Sequence, residues 1–156
     1  MVIQTIYTSR AATPFTGEQL RDLLSDARRR NTEVDVSGVL LYQKGSFLQI
    51  LEGEDDRVAA IFTRIQRDAR HRDVLLLLRR EVTERSFQDW SMGFVDIGGR
   101  AATLPGFRKD AALHDLAGDT ATIDRVVAGF RDGRWRRAIE VEAAATRMPA
   151  RPALSR

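Results

Sequence analysis

Along the first hundred residues the spacing of apolar side chains switches repeatedly between two and three-to-four. Val2 to Ser9 alternates loosely, is rich in β-branched residues and stops before Ala11-Ala12-Thr13-Pro14, which predicts a strand with Tyr7 deep in it. Thr16 and Gln19 then have capping-box spacing, and Leu20, Leu23, Leu24 and Ala27 recur at helical intervals. Arg28, Arg29 and Arg30 fall in the expected last turn of that helix, where cations favour the negative end of the dipole, and Asn31 stands where a left-handed cap is often needed. Helix-end stabilisation is the preferred reading of the three arginines over phosphate binding. Val36 to Tyr42 and Gly45 to Gly53 read as strands joined at a Lys44-Gly45 turn. Glu54, Asp55 and Asp56 open a second helix with the stripe Val58, Ile61, Phe62 and Ile65. Val74 to Leu78 is a continuous apolar run extending to Val82, expected to be a central strand or one covered on both faces. After a turn near 84–89, Trp90 to Ile97 gives a last strand in which Trp90, Met92 and Phe94 alternate.

The order strand, helix, strand, strand, helix, strand, strand predicts a ferredoxin-like α+β fold, with two helices on one face of a mixed five-stranded sheet. Within it, Phe47, Gln49 and Leu51 point one way and Leu48, Ile50 and Glu52 the other. Gln49 is the misfit, because each unpaired group of a buried amide costs roughly 1 to 3 kcal/mol. It is either a core amide tied to backbone groups or an amide facing a ligand with hydrogen-bonding edges. Arg64 and Asp68, four apart beside Ile61, read first as an exposed ion pair, with a second use left open by their place at the edge of a buried stripe.

Composition narrows the chemistry. At 156 residues and 43% hydrophobic, the chain fits one globular domain with an extension. With no cysteine there can be no disulfide, thiolate nucleophile or cysteinyl cofactor adduct, and two histidines make a histidine-rich metal site unexpected. No run of about 18 apolar residues is present, and a membrane role is not expected. The net charge of +3 resides in the tail: residues 1–100 carry 15 basic and 15 acidic side chains, and residues 101–156 carry 10 and 7.

Five stretches in unbroken order carry a family resemblance: Ile6-Tyr7-Thr8-Ser9; Arg30-Asn31 with Ser37-Gly38-Val39-Leu40-Leu41-Tyr42; Phe47-Leu48-Gln49-Ile50-Leu51-Glu52-Gly53; Ile65-Gln66-Arg67-Asp68-Ala69-Arg70-His71; and Phe87-Gln88-Asp89-Trp90-Ser91-Met92-Gly93-Phe94. From about Val2 to Ile97 the chain resembles the BLUF family of blue-light sensors that use flavin. The resemblance implies FAD held without a covalent bond between the two helices and over the sheet. It makes Tyr7 and Gln49 the photoactive pair, with Ser9 supporting Tyr7 and Asn31 hydrogen-bonded to the ring. Arg64, Asp68 and His71 would lie along the ring or toward the ribityl and phosphate side. Trp90 and Met92 match the pair whose exchange between buried and exposed positions relays the signal. Arg30 stands where many members have asparagine or histidine, so no ring contact is carried onto it, and Ser37 replaces a common threonine with the hydroxyl kept.

The expected function is therefore a cytoplasmic blue-light photoreceptor, not an enzyme. As the resemblance implies, light would move an electron and a proton from Tyr7 by way of Gln49, and they would return after the amide has rotated or changed tautomer. Such an amide suits the task, since turning it over exchanges a donor for an acceptor. A flavin oxidoreductase is the alternative, disfavoured because no Gly-x-Gly-x-x-Gly and no convergent substrate base are present. A nucleic-acid-binding module is disfavoured because the open sheet face offers Leu48 and Ile50 where stacking aromatics are needed. No kinase, cyclase or phosphodiesterase segment fits in the length that remains after the domain, so a separate downstream effector protein is expected, as is a homo-oligomer. The sensor domain is assigned to residues 1–98, a helical extension to 99–145 and a disordered tail to 146–156. The apolar stripe Ile123, Val126, Val127 and Phe130 is expected to cover the Leu48 and Ile50 face.

Overall fold

The computed structural model describes residues 1–43, 45–88, 92–96, 125–126 and 128–129. The elements are β1 (Val2–Ala11), α1 (Gly17–Glu33), β2 (Ser37–Gln43), β3 (Ser46–Gly53), α2 (Asp55–Gln66), β4 (His71–Val82) and β5 (Gly93–Asp96), and the sheet order is β4-β1-β3-β2-β5. Neighbours are antiparallel except β2 and β5, which run parallel, so the fold is the mixed α+β plan expected from the element order.

Alternation along β3 sorts the core into two layers. Phe47 and Leu51 join Tyr7, Leu40 and Met92 in a cluster with Leu20, Leu23, Leu24 and Ala27 of α1 and Val58 and Ile65 of α2. Leu48 and Ile50 join Ile6, Val39, Leu41 and Phe87 on the other face, where Val126 packs against them. Both are fully buried. The expected cover from the 123–130 stripe is thus in place at Val126; apart from the helical residues 125, 126, 128 and 129, the extension and the tail lie outside the described residues. Gly38 is required by close approach, since a Cβ there would stand 2.0 Å from the Ile50 carbonyl oxygen. Gly45 adopts the left-handed φ of 76° that the β2–β3 hairpin turn requires.

The capping box closes as expected, with Gln19 N donating to Thr16 Oγ1 at 3.2 Å and Thr16 N donating to Gln19 Oε1 at 2.9 Å. Four expectations need correction. Helix α1 runs on to Glu33, so Asn31 is a buried helical residue and the left-handed position is Asp35, with φ 53°. Arg85 grips that residue, donating to the Asp35 carbonyl oxygen at 2.7 Å and to its carboxylate at 3.1 and 3.2 Å. Of the three arginines only Arg30 lies in the last turn.

Strand β4 is an edge strand, with Leu76 45% exposed. An apolar run reports side chains able to be buried and not the position of the strand in its sheet. In β4 the register shifts twice against β1, and Asp73 takes a left-handed φ of 53° within the second shift, between Leu75 and Arg72, as a bulge needs. The last strand is shorter than expected, because Met92 precedes β5; Trp90 lies outside the described residues.

Candidate flavin site

Tyr7 and Gln49 stand directly opposite each other on adjacent strands, the register that brings two side chains closest on one sheet face. Tyr7 is fully buried, its ring 5.1 Å from that of Phe62, and its hydroxyl has no hydrogen-bond partner among the described residues. Burial raises the phenol pKa well above 10, Arg30 pulls it back in part, and Asp68 adds to the rise. The phenol is therefore a neutral donor. Gln49, 6% exposed, donates through Nε2 to the Met92 sulfur at 3.5 Å. Met92 is 2% exposed, and Arg28 Nε donates to its carbonyl oxygen at 3.0 Å.

Around this pair the remaining expected residues divide. Asn31 is buried on α1. Ser9 Oγ lies 3.0 Å from His71 Nδ1, so the partner it shows is His71 and not Tyr7. His71 opens β4 and packs its ring 5.0 Å from Phe47. Asp68 does not pair with Arg64, because α2 ends at Gln66 and the four-residue helical spacing no longer applies. Its partner is Arg70, whose Nη2 and Nε donate to the carboxylate at 2.8 and 3.1 Å. Burial of Asp68 works against ionisation, but the Arg70 hydrogen bonds outweigh it and lower the pKa.

Two clefts follow the seam between the two helices, and a third lies beside α1 and the chain after α2. One of about 300 Å³ is lined by Arg30, Val34, Ala60, Ile61, Arg64 and Ile65 among others. The next, of about 350 Å³, shares Arg30 and Arg64 with it and adds Arg29, Arg67 and Arg70, against Asp26 and Asp68. A third, of about 360 Å³, continues from Arg70 to Phe15 and Gln19. Each reaches the size of a small-ligand site, and the middle one carries five cations against two acids. An elongated ligand with an apolar ring and an anionic segment suits that lining. The sealed hydroxyl of Tyr7 fits a ring with a hydrogen-bonding edge. Among the described residues no cluster suited to a metal ion occurs, and no helix is long and apolar enough to cross a membrane.

Burial lowers the pKa of His71 from 6.5 to about 4; Asp68 opposes the fall and Arg70 and Arg30 add to it. The unfolded chain therefore binds a proton at His71 between pH 6.5 and 4 while the folded chain does not, so stability falls as pH drops through that window. The expected loss is up to about 3 kcal/mol. In urea unfolding at pH 7 and pH 4, His71→Asn should show a loss smaller by about that amount; equal losses would remove His71 as the cause.

A phenol and an amide thus stand opposed on the helix-facing side of the sheet, and arginine-lined clefts run between the two helices. The sequence profile of the BLUF family, described as sensors of blue-light using FAD, matches residues 2–93, and the chain belongs to that family. Over 87 residues it is 33% identical to the photoactivated adenylate cyclase subunit beta of Euglena longa, covering 55% of this chain and 10% of that protein. Over 97 residues it is 32% identical to the blue light- and temperature-regulated antirepressor BluF of Escherichia coli, covering 62% of this chain and 24% of that one. The chain thus spans a quarter or less of these relatives. Among solved structures, BlsA in its photo-activated state superposes with a TM-score of 0.59 at 37% identity, over 62% of this chain and 70% of that one. The BlrP1 complex of Klebsiella pneumoniae with FMN and cyclic diGMP superposes at 0.72 with 25% identity, over 86% of this chain and 36% of that one.

Proposed function

We propose that this chain is a blue-light switch that holds FAD without a covalent bond and signals to a separate effector protein through the hydrogen bonds of Tyr7 and Gln49. The observation that carries the reading is the buried Tyr7 hydroxyl, without a partner among the described residues, on a residue directly opposite Gln49. In this reading Asn31 hydrogen-bonds the ring, His71 and Asp68 lie along the ring or its ribityl side, and Arg64 faces the phosphates. Ser9 acts on the ring's surroundings through His71, the partner it shows.

When bound, the flavin supplies a strong oxidant on absorbing blue light. Tyr7 holds its proton in the dark, since burial keeps the phenol neutral. With flavin bound as the acceptor, Tyr7 would be the residue that gives up an electron and a proton, Gln49 the amide that passes them, and both would return to the phenol once the amide has rotated or changed tautomer. Electrons and protons balance, and what remains is an amide with its donor and acceptor sense altered. In the low dielectric of this site that change is large enough to move neighbours.

Met92 is the neighbour that touches the amide, and it leads into β5, so it is assigned the relay out of the pocket together with Trp90. The sheet face that a nucleic-acid binder of this fold would use is closed, with Leu48 and Ile50 at 0% exposure. This favours output through protein contacts, to an effector chain or a second copy of this one in the cytoplasm. The test is spectroscopic. The purified protein should be yellow, release FAD on denaturation and show a small reversible red shift of the flavin band after blue light. A colourless protein that takes up no added flavin would sink the proposal.

A further inference from the structure

Arg28 reaches 64 positions along the chain to the backbone of Met92, where its Nε donates to the carbonyl oxygen at 3.0 Å. The neighbouring Arg29 behaves as an ordinary helix-surface cation, 3.9 Å from Asp26 and 3.7 Å from Glu33 on the same helix. Met92 also receives the Gln49 amide on its sulfur at 3.5 Å. A thioether is a weak acceptor, so that contact cannot hold Met92 in place by itself. The charge-assisted bond from Arg28 is the stronger of the two and acts on the same residue. It also ties Met92 to α1, the helix that carries the buried Asn31.

We infer that Arg28 is a positioning residue, which seats the Met92 sulfur against Gln49 and thereby biases the orientation of the amide. The inference rests on the reading of Gln49 as the photoactive amide. With the sulfur held in place, the amide gains by pointing its Nε2 hydrogens toward it. Turned over, it would point a carbonyl oxygen at the sulfur's lone pairs and lose that contact. Arg28 thus penalises the altered amide and speeds its return. Released from Arg28, Met92 can move away and the altered state lasts longer.

The test uses the full chain, carrying 13C-methyl label on its methionines, of which there are three. The Met92 resonance is assigned with Met92→Leu. Arg28→Ala and Arg28→Lys should both move that resonance in the dark and slow dark recovery of the flavin band, the alanine variant by about tenfold, the scale of one charge-assisted hydrogen bond. Lysine keeps the charge and the helix but not the guanidinium geometry, so its effect should be smaller, and it carries the test if the alanine variant does not fold. Arg29→Ala should do neither. An unmoved Met92 resonance, or a moved one with recovery within about twofold of wild type, overturns the inference. If wild-type protein shows no light-induced shift, the Gln49 reading itself has failed, and the dark resonance still reports whether Arg28 seats Met92.

Discussion

Gln49→Leu is expected to keep the flavin and lose the red shift entirely, and Tyr7→Phe to do the same. Both changes remove hydrogen-bonding groups while nearly preserving side-chain volume, so the packing beneath the seam should survive. In Tyr7→Phe the deleted oxygen has no partner among the described residues, so no described donor is stranded and stability should change little. In Gln49→Leu only the weak contact to the Met92 sulfur is lost among the bonds described. The two variants therefore separate photochemistry from folding more cleanly than most buried substitutions. Difference absorption spectra before and after blue light, at matched flavin content, decide the matter. A variant that binds flavin and still shifts fully would refute the route through Tyr7 and Gln49.

How much of this was legible beforehand depended on whether the signal was local. The faces of β3 followed from alternation alone: Phe47 and Leu51 went to the helix side and Leu48 and Ile50 to the other. The capping box and both apolar helix stripes were equally readable, because each lies within a few turns of one helix. The position of β4 at the sheet edge was not, since strand order depends on pairings dozens of residues apart. The supposed Arg64–Asp68 pair failed because the stripe did not show that α2 stops at Gln66.

The site was legible mainly through its resemblance to a known family; the residues alone marked Gln49 as a polar intruder and no more. Arg28 escaped because its partner is a backbone carbonyl, which has no sequence signature. The polar row behind the sheet escaped for want of register, although a buried acid was foreshadowed. Glu52 shares a face with Leu48 and Ile50, and Gln4 interrupts the first apolar strand. Each is anomalous alone, and pairing explains both.

That row supports the second large effect. Gln4 faces Glu52 across β1 and β3, and Arg80 faces Gln4 across β4 and β1. Gln4 Nε2 donates to Glu52 Oε1 at 2.7 Å, Arg80 Nε donates to Gln4 Oε1 at 2.9 Å, and Phe87 N donates to Glu52 Oε2 at 2.9 Å. Gln4 and Glu52 are both 0% exposed, so no water can replace a lost partner. Glu52→Leu would strand the Gln4 amide and the Phe87 N–H in an apolar layer, each costing about 1 to 3 kcal/mol, for a total destabilisation of about 2 to 6 kcal/mol. The double variant Gln4→Leu with Glu52→Leu removes one of those orphans, so it should be less destabilised than the sum of the two single variants. The coupling is measurable by urea unfolding of all four proteins. Strict additivity would mean that Gln4 and Glu52 do not interact in solution, and the bond between them would then hold no part of the row together.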